Sequence, residues 1–203
     1  MKKHKILITG GTGFIGYHLA KRCLNLRWNV TSISTHHPKK KRELTGVKYL
    51  IFDISKKKNL VDKLSKNFDF VVNLAGYVDH SNKSKTKNSH FNGCKNLANF
   101  FLDSKIKKFV QIGSSIEYGK IKSPQFESSK ITNRTNSIYG DAKLSSTKFL
   151  LRLSKQNNFP VTIVRLYLVY GPNQDANRIV PIVIENALKD KIFDCSSGKQ
   201  LRD

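Results

Sequence analysis

Six apolar, β-branched runs recur along the chain: HKILITG (4–10), NVTSIS (29–34), VKYLIFDI (47–54), FDFVVNLAG (68–76), KKFVQIGS (107–114) and PVTIVRLYLVYG (160–171). Helix-compatible segments lie near 14–27, 56–66, 88–104, 138–157 and 178–190. Several of the strands are apolar throughout rather than alternating, so both of their faces are buried. Strand–helix alternation of this kind predicts an α/β fold, a doubly wound parallel sheet covered on both sides. The ligand of such a sheet lies beyond the carboxyl ends of its strands, which is where functional residues are expected. With 203 residues and 38% hydrophobic content, the chain suffices for one well-cored domain and a small appendage. The Ser-, Lys- and Asn-rich stretch 119–135 reads as an excursion near the active face rather than a linker.

The first strand runs straight into TGGTGFIG (9–16), and FIGYHLAKRCLNL has the spacing of a helix that follows at once. Glycine in that context permits a tight turn, admits a pyrophosphate to the backbone and lets the helix pack close to the sheet; the helix N-terminus then favours the anion. The turn is GxGxxG read from Gly11 and GxxGxxG read from Gly10. In the second parse Gly10, Gly13 and Gly16 form the dinucleotide turn, Phe14 and Ile15 open the helix, and Gly11 is an extra flexible residue. An NAD site calls for Asp or Glu at the end of the second strand, about 20 residues on, to bind the ribose 2′-hydroxyl. No acid occurs before Glu43, and the strand ends in Ser34 followed by THHPKKKR. A hydroxyl with His36, His37, Lys39, Lys40, Lys41 and Arg42 suits a 2′-phosphate, so NADP is expected in preference to NAD.

The GxxGxxG parse predicts a tyrosine and a lysine four apart on a helix, preceded by a serine or threonine at a strand end. YxxxK occurs at Tyr17/Lys21, Tyr118/Lys122 and Tyr139/Lys143. The first lies in the helix behind the glycine turn, and the second runs into GKIKSP, where Pro124 opposes a helix. Only SIYGDAKLSSTKFLLRLSKQ continues as an amphipathic helix, with Tyr139 and Lys143 on one face and Ser114 upstream at the end of FVQIGS. Tyrosine ionises near pH 10, so acid/base work at neutral pH needs that value lowered by roughly 3 units, which a nearby ammonium favours. Tyr139 is expected to move the proton, Lys143 to stabilise the phenolate and Ser114 to hydrogen-bond the reacting oxygen, while the cofactor exchanges hydride with the substrate.

Taken together, TGGTGFIG (9–16), FDIS (52–55), NLAG (73–76), NGCKNL (92–97), GSSIEYG (113–119), YGDAK (139–143), RLYLVYGP (165–172) and GKQLRD (198–203) resemble the extended short-chain dehydrogenases/reductases, specifically the NAD(P)-dependent nucleotide-sugar epimerases, dehydratases and reductases. The resemblance implies a Rossmann-like fold, with Asp53 and Ile54 beside the adenine and Leu74, Ala75 and Gly76 along the cofactor. It places Ser115, Arg178 and Arg202 on the substrate, Arg202 matching an arginine that holds the diphosphate of the sugar nucleotide. Glu117 is either a substrate contact or a tolerated surface acid. Relatives pair through helices that include the one carrying Tyr139, so the resemblance admits a homodimer.

Departures narrow the chemistry. The Asn of RxxNVYGP, which helps bind the substrate base, is Leu168 here, and the Asp-Glu pair of the 4,6-dehydratases is Ser115-Ile116, which disfavours dehydration. GSSIEYG is closer to reductases of 4-keto-6-deoxy sugars, with 4-epimerases next. Relatives continue past the equivalent of Asp203 with much of the substrate domain. The expectation is thus a cofactor-binding catalytic domain over 1–175 and the start of a truncated substrate-binding region over 176–203, as a fragment of a longer reading frame or a short form with an open site. The activity expected is hydride transfer at a sugar carbon, C4, of a nucleotide sugar, by reduction or epimerisation in polysaccharide precursor synthesis. The rival is a non-catalytic dinucleotide-sensing or RNA-binding relative.

Charge motivates that rival: 37 Lys and Arg against 14 Asp and Glu give +23, and basic surfaces bind polyanions by counterion release. The basic residues are scattered, however, with PKKKR (38–42) and KKK (56–58) the clearest runs and no aromatic-interleaved stripe, so a solvated lysine-rich surface is favoured over a nucleic-acid partner. Cys23, Cys94 and Cys195 are unclustered and odd in number, which suits a reducing compartment and offers no disulfide framework or metal site. No run approaches a membrane span or a signal peptide, and a cytoplasmic location is expected.

Overall fold

A computed structural model describes residues 3–79, 81–122, 124–131, 134–195 and 197. The chain divides into two compact units, Met1–Leu166 and Tyr167–Asp203. In the first, strands β1 (Lys5–Thr9), β2 (Asn29–Ser34), β3 (Val47–Ile51), β4 (Phe70–Asn73), β5 (Lys108–Ser114) and β6 (Val161–Leu166) form one sheet in the order β3-β2-β1-β4-β5-β6. All five pairings are parallel. This is the doubly wound, Rossmann-like α/β arrangement that the alternation predicted.

β1 shows why the strands are continuously apolar. Successive side chains point to opposite faces of a sheet. Leu7 enters a core with Leu97, Phe101, Phe109 and Leu150, while Ile6 and Ile8 enter a second core with Ala20, Cys23 and Val30. Helix α1 (Phe14–Asn25) contributes to the second core; α2 (Lys57–Lys63), α4 (Gly93–Phe100) and α5 (Ile138–Asn157) contribute Leu60, Leu97 and Leu150 to the first. At roughly 1.5–3 kcal/mol for each large apolar side chain withdrawn from water, these two layers are the main stabilising term.

One helix starts earlier than its apolar spacing indicates. Helix α3 (Lys83–Lys87) precedes a π-helical turn (Asn88–Asn92) that leads into α4. Its start is set by Asn82, whose side chain accepts from the Lys85 amide at 3.0 Å, a capping signal independent of hydrophobic period. In the second unit, helix α6 (Ile179–Leu188) buries none of its residues. No helix among the described residues is long and apolar enough to cross a membrane, and among them no group of three His, Cys, Asp or Glu is gathered for a metal ion.

The winding reverses between β1 and β4: the chain proceeds outward through β2 and β3 on one side and through β5 and β6 on the other. A crevice opens at the carboxyl ends of strands flanking such a switch point. Thr9 and Asn73 are paired in register at that end.

Candidate active site

The glycine turn closes over the switch point. Gly10 adopts φ +73°, a region L side chains rarely occupy, and a Cβ there would lie 2.8 Å from the carbonyl oxygen of Leu74 and 3.1 Å from the amide of Ala75. Gly10 therefore lets the turn after β1 meet the turn after β4. A Cβ on Gly16 would press into the carbonyl oxygen of Gly10 and stand 2.6 Å from Cα of Gly11, so the third glycine sets how closely α1 approaches the turn. Gly11 is not a spare flexible residue: a Cβ on it would collide with the Ser32 side chain of β2. Gly13 is the N-cap of α1 and offers no side-chain acceptor, and the first turn of that helix carries no acid. Unmet N–H groups with the positive end of the helix dipole suit a phosphate anion. The residues present fit the diphosphate of a dinucleotide.

Beneath this turn lies a polar network that sequence reading missed. Thr9 Oγ1 donates to Asn73 Oδ1, Asn73 Nδ2 donates to Gln111 Oε1 at 2.7 Å, and the Cys94 thiol donates to the same oxygen at 3.1 Å. The Ala75 amide is shared between Thr9 Oγ1 and Asn73 Oδ1, both at 3.3 Å. All four side chains are buried. A satisfied internal network of this kind fixes geometry, and here it holds the 74–76 turn against the glycine turn. Burial pushes the Cys94 thiol up to about 12, which keeps it protonated and able to donate. The available signal was polar residues within apolar strands, Thr9 and Asn73 at the ends of β1 and β4 and Gln111 in the middle of β5.

Tyr139 and Lys143 lie one turn apart on α5. Ser137 caps that helix, accepting from the Gly140 amide at 3.0 Å, and Asp141 accepts from the Thr135 amide at 2.8 Å, anchoring the end of the preceding loop. Ser114, at the end of β5, bears on the Tyr139 phenol and acts to lower its pKa. Lys143 passes beside the Tyr139 ring, its Nζ 5.8 Å from the centroid, and donates to the Ile112 carbonyl on β5 at 2.8 Å. The three residues expected to act together are thus assembled at the carboxyl end of β5. His90, absent from the sequence reading, completes the wall. It stands edge-on to Tyr139 with centroids 5.0 Å apart, shares a hydrogen bond with the Tyr77 carbonyl at 3.2 Å, and occupies the space a Cβ on Gly76 would need. Gly76, His90 and Tyr139 are therefore in succession, which couples the β4 turn to α5.

The electrostatics differ from the simple expectation. Burial holds the Tyr139 phenol above its ordinary value, aided by the negative charge of Glu117 and opposed by the Ser114 hydrogen bond. Lys143, 5% exposed, is lowered to about 8, burial outweighing the opposing influence of Glu117 and Cys94. Between pH 8 and its ordinary value near 10.4 the unfolded chain binds more protons at this lysine than the folded one, so its destabilising contribution is full at neutral pH and fades as pH rises through that window. Lys143→Met is accordingly expected to raise the melting temperature at pH 7 by about 2–8 °C, equivalent to about 1–2 kcal/mol. The gain should shrink toward pH 10. The Ile112 carbonyl keeps a donor in that variant, Gln111 Nε2 at 3.0 Å. Thermal unfolding at two pH values checks both statements.

Other expected site residues are placed as follows. Asp53 Oδ1 accepts from the Ser55 amide at 2.8 Å, and Ile54 is buried against Gly93, where a Cβ would come within 3.0 Å of it. Asn96 Nδ2 donates to the Ser55 carbonyl at 2.7 Å, which explains the glycine and second asparagine of NGCKNL. Phe14 and Ile15 open α1. Ser115 begins a 3-10 turn, Ser115–Tyr118. Glu117 is neither a surface acid nor a residue open to substrate: it is fully buried, with both carboxylate oxygens engaged by the protein. Arg178 is the exposed N-cap residue of α6 in the second unit. Arg202 lies outside the described residues.

With this geometry in hand, comparison with known proteins is decisive. The model of the NAD dependent epimerase/dehydratase family matches residues 6–203. The chain belongs to that family. A UDP-N-acetyl-alpha-D-glucosaminuronate decarboxylase of Bacillus cytotoxicus is 30% identical over 98% of this chain and 66% of its own length. Protein CapI of Staphylococcus aureus is 32% identical over 98% of this chain and 64% of its own. The solved UDP-glucuronic acid 4-epimerase of Bacillus cereus, in complex with UDP-glucuronic acid and NAD, superposes with a TM-score of 0.76 at 26% identity, over 92% of this chain and 64% of that one. The family member described here thus spans about two thirds of the length of these relatives.

The expectation of NADP is corrected. The similar solved UDP-glucuronic acid 4-epimerase of Bacillus cereus and its Y149F mutant, 26% and 25% identical, are both in complex with NAD. The basic stretch after β2 supplies the physical reason. Ser34 is buried and its Oγ lies 3.4 Å from the Thr12 amide, while His36, His37, Lys39, Lys40 and Lys41 are exposed to solvent and Arg42 turns inward. A solvated row of lysines on a chain of charge +23 is general surface, not a 2′-phosphate pocket.

Proposed function

We propose that this family member binds NAD across the switch-point crevice and catalyses hydride transfer at C4 of a nucleotide-activated sugar, as a 4-epimerase or 4-keto-sugar reductase acting in the cytoplasm. The observation that carries the proposal is Lys143 running beside the Tyr139 ring while anchored to the Ile112 carbonyl of β5, the strand that ends in Ser114. Bound NAD would supply the hydride acceptor and, in its oxidised form, a positive charge that favours the phenolate. The α1 N-terminus and Gly13 would hold the diphosphate, and the turn 74–76 and Ile54 would line the crevice. Tyr139 accepts the proton of the sugar hydroxyl and returns it. Ser114 orients that oxygen, and Lys143 offsets the negative charge on the phenol. Ser115-Ile116 in place of an Asp-Glu pair argues against elimination.

The test is a panel of UDP-, dTDP- and GDP-sugars incubated with the protein and NAD, and of their 4-keto-sugar forms incubated with NADH, with products separated by chromatography and NADH followed at its near-ultraviolet band. The proposal expects NAD-dependent conversion of one base series with the configuration or oxidation state changed at C4. Conversion at a different carbon, or conversion indifferent to NAD, contradicts it.

A further inference from the structure

The most deeply buried acid near the site is one that the proposed reaction leaves unassigned. Glu117 Oε1 accepts from the Ser114 amide at 2.8 Å and Oε2 is met by Arg165 Nε at 3.4 Å. Arg165 also donates from Nη1 to the Tyr118 hydroxyl at 3.3 Å, and its guanidinium lies 4.9 Å over the Tyr118 ring. Room for this clamp comes from Gly113, which is paired with Arg165 in the β5–β6 register. A Cβ on Gly113 would come 2.5 Å from Glu117 Oε1 and 3.3 Å from Arg165 Cγ. Ser114 in turn caps the 3-10 turn that carries Glu117, so carboxylate and hydroxyl lock each other reciprocally. Gly113 and Ser114 of β5, Arg165 of β6 and Tyr118 of the 3-10 turn are thus arranged around one carboxylate.

We propose that Glu117, clamped by Arg165 in the space left by Gly113, is the positioning residue of the Ser114–Tyr139–Lys143 cluster: it fixes the Ser114 backbone and is the internal counter-charge of Lys143. The inference rests on the reading of that cluster as catalytic. Burying an unpaired carboxylate is costly, and the Arg165 partner makes the site tolerable while sharing the carboxylate with the cluster. The charged and titratable groups acting on Lys143 and Tyr139 are Glu117 from the 3-10 turn and Cys94 from α4, with His90 against the Tyr139 ring and Arg165 reaching them through Glu117. Of these, Glu117 is the acid that bears on both Tyr139 and Lys143.

The test is a nuclear magnetic resonance titration of lysine side-chain amines in the ligand-free protein, Lys143 being assigned by its loss in Lys143→Arg. Wild type should show one lysine titrating near pH 8, apart from the others. In Glu117→Gln that midpoint should move to lower pH. In Arg165→Met, where the carboxylate loses its clamp and faces the cluster unshared, it should move to higher pH, and Arg165→Lys should restore it. A Glu117→Gln variant that unfolds leaves the two Arg165 variants to decide. A midpoint unmoved in folded Glu117→Gln or Arg165→Met, even with lower melting temperatures, reduces the clamp to a structural role and overturns the proposal. Because no substrate or cofactor is present, this outcome is independent of whether sugar turnover is found.

Discussion

Replacing Gly16 by alanine should weaken NAD binding by about 5- to 150-fold, the equivalent of the 1–3 kcal/mol that overpacking commonly costs. The new methyl group would run into the Gly10 carbonyl and stand 2.6 Å from Gly11 Cα, and these are backbone atoms that cannot rotate aside. Helix propensity opposes the effect, because alanine is better than glycine inside a helix by about 1 kcal/mol. The variant therefore stays folded while the turn, not the helix, absorbs the strain. Displacement of Gly10 also separates it from the Leu74 and Ala75 backbone, so both walls of the crevice are disturbed. Calorimetric titration with NAD, alongside thermal unfolding, separates the two contributions: affinity should fall while the melting temperature changes little.

Tyr139→Phe should lower the turnover number by about 10²- to 10⁴-fold, the range associated with a positioned acid/base, with NAD affinity kept. The substitution deletes one oxygen and leaves the ring packed edge-on to His90, so a loss of activity cannot be assigned to repacking. Burial and Glu117 hold the phenol above its ordinary value in the protein alone. The rate should therefore still climb at alkaline pH in the wild type, and the residual rate of the variant should lack that climb. Turnover within a factor of two or three of wild type would remove Tyr139 from the mechanism.

Much of this arrangement is legible before any coordinates. The β1 run KILIT, whose alternate residues enter two cores, announces a sheet covered on both sides, and Tyr139 and Lys143 were separable from two competing pairs by the helical pattern around them. What composition could not reveal was the meaning of residues whose role depends on distant strands. Gly11 is set by Ser32 and Gly113 by Arg165, contacts made across the sheet. Glu117 looks like a surface acid in a loop, yet the register that brings Arg165 opposite Gly113 turns it inward. His90 sits on a π-helical turn, a local departure that no hydrophobic period signals. The lysine run after β2 misled for the opposite reason: its composition suited a phosphate, but its side chains point to solvent.

A crystal structure of the NAD complex would show whether the crevice between the glycine turn and the β4 turn carries NAD with its reactive end at Tyr139. The diphosphate is expected at the N-terminus of α1 against Gly13 and the nicotinamide ring within contact of Tyr139 and Lys143. A diphosphate bound elsewhere, or a nicotinamide ring directed away from Tyr139, would contradict it.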